Sequence, residues 1–327
     1  LKEGYVNIYL ILFNVVWCLA LWSYLRVSWA DPGAVPEEWH EFVRRVGVAL
    51  PIAPGMKEWQ PGKATMCRNC STPRPERAHH CGHCGICVLR LDHHCPWINN
   101  CVGWANHKFF LQTCIYAWLA CVVAVVTSFP ELIHCAQNLR RIVRGHSGSA
   151  GLEPTDEMAF LVFGILALFV SVFLTPLLFM QLRLCFLNRT TIEDNYDNMA
   201  NPFDQGSFCS NLSQIFGKFG PDWLFPVKPW NRPDDGISFP TTTEPYGLDV
   251  PDSDADLLLN GRGRPDLRSF NRETHLRGEE LWRLRYRVPL VPKDYQSDLA
   301  KPGAIDYMMG CMRLECDQGA NRGVNYS

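Results

Sequence analysis

The sequence predicts an all-α, multi-pass membrane protein with a small cytosolic cysteine-rich domain. Two observations lead to this fold class. Three long runs carry no charged residue, from Tyr5 to Leu25, from Phe109 to Pro130 and from Met158 to Leu182. Seven of the 15 cysteines, with five histidines among them, fall between Cys67 and Cys101.

The uncharged runs predict transmembrane helices at residues 5–25, 109–133 and 158–182. Each run reaches the ~20 residues that a helix needs to cross the ~30 Å hydrocarbon core of a bilayer. A buried core helix is the alternative for any one run, but three such runs in one chain argue against it. The first run is not a signal peptide, because it lacks a short apolar region followed by a small-residue cleavage site.

The remaining segments are predicted to be polar. Residues 26–66 form a cytosolic linker that begins with the motif DPG, and residues 134–156 form a lumenal loop. Residues 183–230 contain an amphipathic segment, for which Asn211 is the expected helix N-cap. Residues 231–327 are rich in Pro, Gly, Asp and Arg without a sustained apolar period, so we expect a mostly disordered tail.

Cysteine usage indicates which side of the membrane the cysteine-rich segment occupies. Lys and Arg have similar densities in the two loops between the runs, so the positive-inside rule does not decide the orientation. In an oxidising lumen, dense cysteines would predict disulfides, whereas in the cytosol they predict a metal site. The interleaved histidines favour a metal site, and therefore the cytosol. The net charge of −2 gives no reason to expect nucleic-acid binding.

The segment contains enough ligands for two zinc ions. A structural zinc site takes four tetrahedral ligands, commonly Cys₃His or Cys₂His₂. Two Cys₃His sites use eight residues: Cys67, Cys70, His80, Cys81, Cys84, Cys87, His94 and Cys101. Asp92, His93 and Cys95 then remain, within four residues of one another.

The three remaining residues suit nucleophilic catalysis. A thiol with the ordinary pKa of about 8.5 is mostly protonated at neutral pH, and a nearby imidazole can deprotonate it. An acid beside that imidazole fixes its tautomer. Cys95 could equally be a spare zinc ligand in a Cys₄ site, or a small buried hydrophobe. Spacing alone leaves the catalytic and structural alternatives open.

The stretch from Cys67 to Phe110 closely resembles the cysteine-rich domain of the DHHC protein S-acyltransferases, or palmitoyltransferases. The resemblance rests on DHHCPW at residues 92–97, on HHCxxCxxC before it and on NNCVGxxNxxxF after it. Further marks lie outside this stretch, namely DPG at residues 31–33, TTIE at residues 190–193 and NPFDQGSFCSNLSQIFG at residues 201–217.

The resemblance implies both cofactors and chemistry. It implies two structural zinc ions, with the ligand sets Cys67, Cys70, His80, Cys87 and Cys81, Cys84, His94, Cys101. It further implies that Cys95 is the nucleophile, that His93 is its base and that Asp92 orients His93. The implied reaction moves a long-chain acyl group from acyl-CoA to Cys95 and then to a protein cysteine.

Further substrate contacts are weaker expectations. Arg74 and Arg77 could pair with CoA phosphates, although exposed arginines are more often solvated. Trp97 could lie beside the thioester or anchor at the membrane interface. By analogy with the family, Thr191 is expected to hydrogen-bond near Asp92. The alternative is that Thr190 and Thr191 only mark the end of the last membrane helix.

The resemblance also sets expectations about partners, location and completeness. It implies protein substrates with cytosolic cysteines, and an endomembrane location such as the ER or Golgi. Family members usually have four membrane helices with DPG after the second, so the chain is expected to lack the first transmembrane helix. The competing hypotheses are a RING-like zinc module, a thiol redox protein and a catalytically silent membrane scaffold. The presence of Asp92, His93 and Cys95 argues against the scaffold.

Overall fold

The computed structural model describes residues 2–53, 60–137, 139, 143–144, 154–198, 201–241 and 278–288. Six helices run through these residues: α1 (Lys2–Trp29), α2 (Glu37–Val46), α3 (His107–Gln137), α4 (Pro154–Phe186), α5 (Phe208–Phe216) and α6 (Glu279–Arg285). Seven short strands accompany them: β1 (Ile52–Ala53), β2 (Ala64–Cys67), β3 (Thr72–Arg74), β4 (His79–Cys81), β5 (Ile86–Val88), β6 (His93–Cys95) and β7 (Asn100–Val102).

Three of the helices are long and apolar enough to cross a membrane. The candidate spans are Ile8–Trp29 in α1, His107–Pro130 in α3 and Thr155–Phe186 in α4. Phe163 and Phe169 on α4 are 68% and 66% exposed, and an apolar surface of this kind needs lipid to cover it. The predicted fold class is confirmed: the protein is mostly helical, with three candidate spans and a cysteine-rich region.

The chain divides into two compact units. The first contains residues 1–32, 94–189 and 207–232, and in it α3 packs along both α1 and α4. Its polar contacts join segments distant in sequence. The Asn100 amide donates to the carbonyl of Ala30 at 2.8 Å, and the buried Lys108 ammonium donates to the carbonyl of Val227 at 3.0 Å.

Helix α5 differs from the prediction at its start. Ser207, not Asn211, is the N-cap: its backbone is extended and its hydroxyl oxygen accepts from the Ser210 N–H at 3.2 Å. Asn211 lies inside the helix, where its amide donates to the carbonyl of Phe186 at 2.7 Å. The Asn211 amide therefore connects α5 to the end of α4 and does not cap α5.

The second unit contains residues 33–93, 190–206 and the chain from 233 onward. It contains two small sheets, with strand orders β1-β2-β3 and β4-β5. The chain reverses direction within a few residues in each of these hairpins, so the strands contain only two to four residues. Strands this short leave no hydropathy pattern, and the sequence did not predict them. Helix α2 lies within the predicted linker and buries Trp39, Phe42 and Val46.

Two stretches of the predicted mostly disordered tail, residues 231–241 and 278–288, contain buried side chains. Ile237 and Phe239 are 1% and 2% exposed, and α6 buries Trp282. The other residues of the predicted disordered range, 242–277 and 289–327, lie outside the described residues. Likewise, most of the predicted lumenal loop 134–156 lies outside them, although α3 itself continues to Gln137.

Candidate active site and metal centres

The first Cys/His cluster is assembled by two hairpins of the second unit. Antiparallel pairing places His80 on β4 opposite Cys87 on β5. The Nδ1 atom of His80 lies 3.3 Å from the Cys70 Sγ and 3.8 Å from the Cys87 Sγ, and these two sulfurs are 3.8 Å apart. A tetrahedral zinc with Zn–S bonds of about 2.3 Å places its sulfur ligands about 3.8 Å apart. Together with Cys67, the cluster fits a zinc ion.

The second cluster, made of Cys81, Cys84, His94 and Cys101, again combines three thiols with one imidazole, a donor set that could hold a metal ion. The Cys101 Sγ is 3.7 Å from the His94 Nδ1. Its CxxC turn repeats a feature of the first cluster, because the Cys84 N–H donates to the Cys81 Sγ at 3.4 Å as the Cys70 N–H does to Cys67. Both predicted ligand sets are therefore Cys₃His groups that could hold a metal ion.

The donor chemistry of both clusters suits structural zinc. Each group supplies four protein ligands, which leaves no coordination position for a substrate. Burial, together with the neighbouring thiols of Cys67 and Cys70, raises the pKa of the Cys87 thiol. A divalent cation among these sulfurs would favour the thiolates and offset that effect. When bound, zinc would hold the hairpins in place.

Strand β6 separates metal-binding groups from the remaining candidates. Successive side chains of a strand point to opposite faces, so His93 and Cys95 share one face while His94 lies on the other. His94 belongs to the second metal cluster. The alternation therefore leaves an imidazole and a thiol, two residues apart, on the face away from that ligand.

Asp92 holds the His93 ring. The Asp92 side chain is fully buried, and its Oδ2 lies 2.7 Å from the His93 Nδ1. A carboxylate at this nitrogen accepts the Nδ1 proton, which leaves Nε2 of the neutral ring as the basic atom. The His93 side chain is 28% exposed, so the ring retains access to solvent.

The TTIE segment completes the environment of Asp92. Thr191 donates twice to its carboxylate, from the backbone N–H to Oδ1 at 2.7 Å and from the hydroxyl to Oδ2 at 3.1 Å. The structure thus places Thr191 where the resemblance implies. Three donors around one buried carboxylate fix its orientation.

The reason for the TTIE spacing is a capping box. The Thr190 N–H donates to the Glu193 carboxylate at 2.9 Å, and the Glu193 N–H donates to the Thr190 hydroxyl at 3.2 Å. The Glu193 carboxylate also receives two hydrogen bonds from Arg77, at 2.6 and 2.8 Å. Burial alone would raise the pKa of Glu193, but the Arg77 guanidinium lowers it below its ordinary value.

Arg77, which was expected as an exposed cation for CoA phosphates, is instead buried. Its side chain is 1% exposed, is paired with Glu193 and lies over the rings of Phe203 and Phe239 at 4.1 and 4.7 Å. Arg74 is half-buried at the end of β3, and its role stays a prediction. Trp97 is 76% exposed and contacts Phe173 of α4 edge-on, with ring centroids 6.5 Å apart.

The Cys95 thiol faces apolar side chains of the first unit. It is 6% exposed and packs in one cluster with residues of α1, α3, α4 and the segment around β7: Val27, Ile98, Val102, Phe109, Phe110, Cys114 and Leu178. Cys95 therefore has an imidazole on its own strand face and a hydrocarbon environment contributed by three membrane-spanning helices.

Sequence reasoning missed several residues that support the site. Glu193 is one of them, although a threonine followed three residues later by a glutamate is the sequence signature of a capping box. The partner of Glu193, Arg77, lies 116 residues away, and no local pattern connects them. Nor did any local signal indicate the buried carboxylate of Glu76 and its partner Arg285.

Known proteins are similar to this chain over the cysteine-rich segment and beyond it. The DHHC palmitoyltransferase family profile matches residues 60–198. A zebrafish (Danio rerio) protein, palmitoyltransferase ZDHHC2, is 29% identical over 83% of this chain and 76% of its own length. An Arabidopsis thaliana protein, probable protein S-acyltransferase 12, is 32% identical over 71% of this chain and 79% of its own.

The human palmitoyltransferase ZDHHC15 is 31% identical over 71% of this chain and 72% of its own length. The similarity thus extends well beyond the cysteine-rich domain, into the membrane helices and the segments that carry TTIE and α5. With this coverage, and with two Cys₃His groups of which the second includes a histidine of the DHHC segment, the chain belongs to the DHHC palmitoyltransferase family.

Proposed function

We propose that this protein is a protein S-acyltransferase that moves a long-chain acyl group from acyl-CoA to protein cysteines through a thioester on Cys95. The observation that carries the proposal is the arrangement on β6. His93, held by the buried carboxylate of Asp92, shares a strand face with Cys95, and Cys95 is packed among apolar side chains of three membrane helices. The relatives named palmitoyltransferases support the same class of reaction.

In the first step, the Nε2 atom of His93 takes the proton of the Cys95 thiol, and the sulfur attacks the thioester carbonyl of acyl-CoA. The bond between the carbonyl carbon and the CoA sulfur breaks, and CoA leaves with the proton from the imidazolium. Asp92 stabilises that imidazolium and keeps Nε2 free to act. The acyl group now forms a thioester with Cys95.

In the second step, a cysteine of the protein substrate takes the place of CoA. His93 accepts its proton, the substrate sulfur attacks the acyl carbonyl, and the Cys95 sulfur leaves and is reprotonated. One thioester replaces another in each step, so the exchange is nearly isoenergetic and consumes no ATP. The two zinc ions would hold the hairpins that carry this strand.

The acyl chain has an apolar environment available next to Cys95. Val27 on α1, Phe110 on α3 and Leu178 on α4 all belong to the cluster that surrounds the thiol. Burial of each methylene contributes about 0.8 kcal/mol, so a long chain gains far more from such surroundings than a short one. Arg74 remains our candidate for contact with CoA phosphates.

Incubation of the purified, detergent-solubilised protein with radiolabelled palmitoyl-CoA tests this function. We expect up to about one acyl group per chain, released by neutral hydroxylamine as thioesters are. Transfer of the label to an added protein with a membrane-proximal cysteine would complete the reaction. Absence of label from the intact, zinc-loaded protein would contradict the proposal.

The proposed reaction requires the cysteine-rich domain to face the cytosol. We propose that the protein resides in an endomembrane such as the ER or Golgi. Arg144 and Lys218 are both exposed, and the single candidate span of α4 separates them in sequence. In a Cys209→Ser background, which removes an exposed thiol, we expect Lys218→Cys in sealed microsomes to react with an impermeant maleimide. Arg144→Cys should react only after detergent is added. The reverse pattern would place the domain in the lumen and contradict access to cytosolic acyl-CoA.

A further inference from the structure

Residues 278–288, here called the clasp, belong to the second unit and pack against its helix α2, although their sequence predicts no order. Trp282 of α6 is 6% exposed and lies edge-on against Trp39 and Phe42 of α2, with centroids 5.8 and 5.6 Å apart. Tyr286 is fully buried, 5.1 Å from the Trp39 ring. The clasp is thus built into an aromatic core and does not merely lie on the surface.

Two consecutive residues of the clasp, Arg285 and Tyr286, make polar contacts with the same residue, Glu76. Arg285 donates from Nε and Nη2 to the Glu76 carboxylate, and the Nε contact is 2.8 Å. The Tyr286 hydroxyl accepts from the Glu76 backbone N–H at 2.8 Å. Glu76 is 3% exposed, so its side chain and its backbone are both held away from water by consecutive residues of the clasp.

Glu76 directly precedes Arg77, whose backbone adopts a left-handed φ of 63°. Non-glycine residues adopt this conformation at a cost, so it requires neighbouring contacts to hold it. The Glu76 contacts fix the residue before this turn, and the Arg77 guanidinium then fixes Glu193. Glu193 closes the capping box with Thr190, which aims the N–H and hydroxyl of Thr191 at Asp92.

We propose that Arg285 and Tyr286 are positioning residues for the acyl transfer, acting through Glu76, Arg77 and the TTIE turn on Asp92 and His93. This inference rests on the proposed function. The connection lies within one unit and consists of hydrogen bonds joined by two covalent backbone links, from Glu76 to Arg77 and from Thr190 to Thr191. The clasp touches no reacting atom on this proposal, and it serves to hold the Asp92–His93 pair in its reactive orientation.

The test compares two substitutions that remove polar contacts and preserve packing. Tyr286→Phe keeps the buried ring and removes only the acceptor of the Glu76 N–H, while Arg285→Met keeps the length of the side chain and removes its charge. Because small displacements of catalytic groups can cost up to ~10²-fold in rate, we expect each to slow acyl-enzyme formation at saturating palmitoyl-CoA by about tenfold. The half-saturating concentration and the zinc content should not change.

A structural readout separates this inference from the proposed function. The amide of Thr191, which donates to Asp92 in the parent protein, should exchange its hydrogen faster in both variants. Arg285→Lys, which keeps a cation beside Glu76, should restore most of the rate and of the protection. Arg44→Ala, which breaks an exposed ion pair with Glu37 on α2, serves as the matched control and should change neither quantity.

The possible results are distinct. Unchanged rate and unchanged Thr191 exchange in Tyr286→Phe and Arg285→Met would overturn the inference, even if the parent protein acylates itself normally. Slower acylation accompanied by zinc loss, or equal losses in Arg44→Ala, would also overturn it by indicating a general loss of stability. A parent protein that forms no acyl-enzyme would instead contradict the proposed function, and the exchange measurement alone would then decide whether the clasp orders the TTIE turn.

Discussion

Cys95→Ser is expected to abolish the acyl-enzyme while leaving both zinc ions in place. The hydroxyl is nearly isosteric with the thiol, so the apolar cluster around residue 95 should tolerate it. A serine hydroxyl is far less acidic than a thiol, and His93 cannot make it an effective nucleophile at neutral pH. The measurement is the amount of hydroxylamine-labile palmitate per chain, together with elemental analysis of zinc.

The matched control for this prediction is Cys209→Ser. Cys209 is exposed, and an exposed thiol is the one that palmitoyl-CoA would modify without catalysis. Cys209→Ser should retain the full labelling rate. Loss of zinc in Cys95→Ser would show instead that residue 95 is a metal ligand, and retained labelling would place the nucleophile elsewhere.

The membrane helices and the metal ligands are the parts that the sequence predicts well. Hydropathy locates α1, α3 and α4 because a bilayer demands an uninterrupted apolar run of fixed length. Ligand counting finds both Cys₃His groups because zinc knuckles use short, regular spacings. Both signals are local, and each is read from one stretch of chain.

Counting ligands could not separate Cys95 from the metal sites, whereas the strand does. His94 and Cys95 are neighbours, and each is a residue type that binds zinc; the alternation of β6 assigns them to different faces. The resemblance to a family gave the same assignment, but the physical reason is the period of two along an extended backbone.

The sequence did not predict which residues distant in the chain contact each other. Arg77 looked like an available cation in a zinc loop, but the buried Glu193 carboxylate 116 residues later takes its guanidinium. The clasp lies in a polar, glycine- and proline-rich tail, where composition indicates disorder. Trp282, Tyr286 and Arg285 hold it in place. Helix α2 offers them a hydrophobic surface, Asp235 accepts a hydrogen bond from the Trp282 indole, and Glu76 supplies a buried carboxylate.

His94→Ala is expected to lose zinc and His93→Ala to keep it, although the two residues are adjacent in the chain. His93→Ala should keep both zinc ions, because its ring binds Asp92 and belongs to neither cluster. It should slow acyl-enzyme formation by roughly 10²–10⁴-fold, the usual cost of a lost general base. Metal content and single-turnover acylation rates, measured on the same preparation, test both statements.

His94→Ala should lose about one zinc ion per chain and, with it, the folded second cluster. Structural zinc contributes an apparent ~10–16 kcal/mol of binding free energy in small domains, which matches or exceeds the ~5–15 kcal/mol total stability of a typical domain. Acylation should disappear because β6 loses its anchor. His83→Ala is the matched control: His83 is an exposed histidine of the same segment and belongs to neither cluster, so zinc and rate should both be retained. The opposite result would be zinc loss in His93→Ala, with two zinc ions and a slower acylation rate in His94→Ala. In that case His93 would be the zinc ligand and His94 the base.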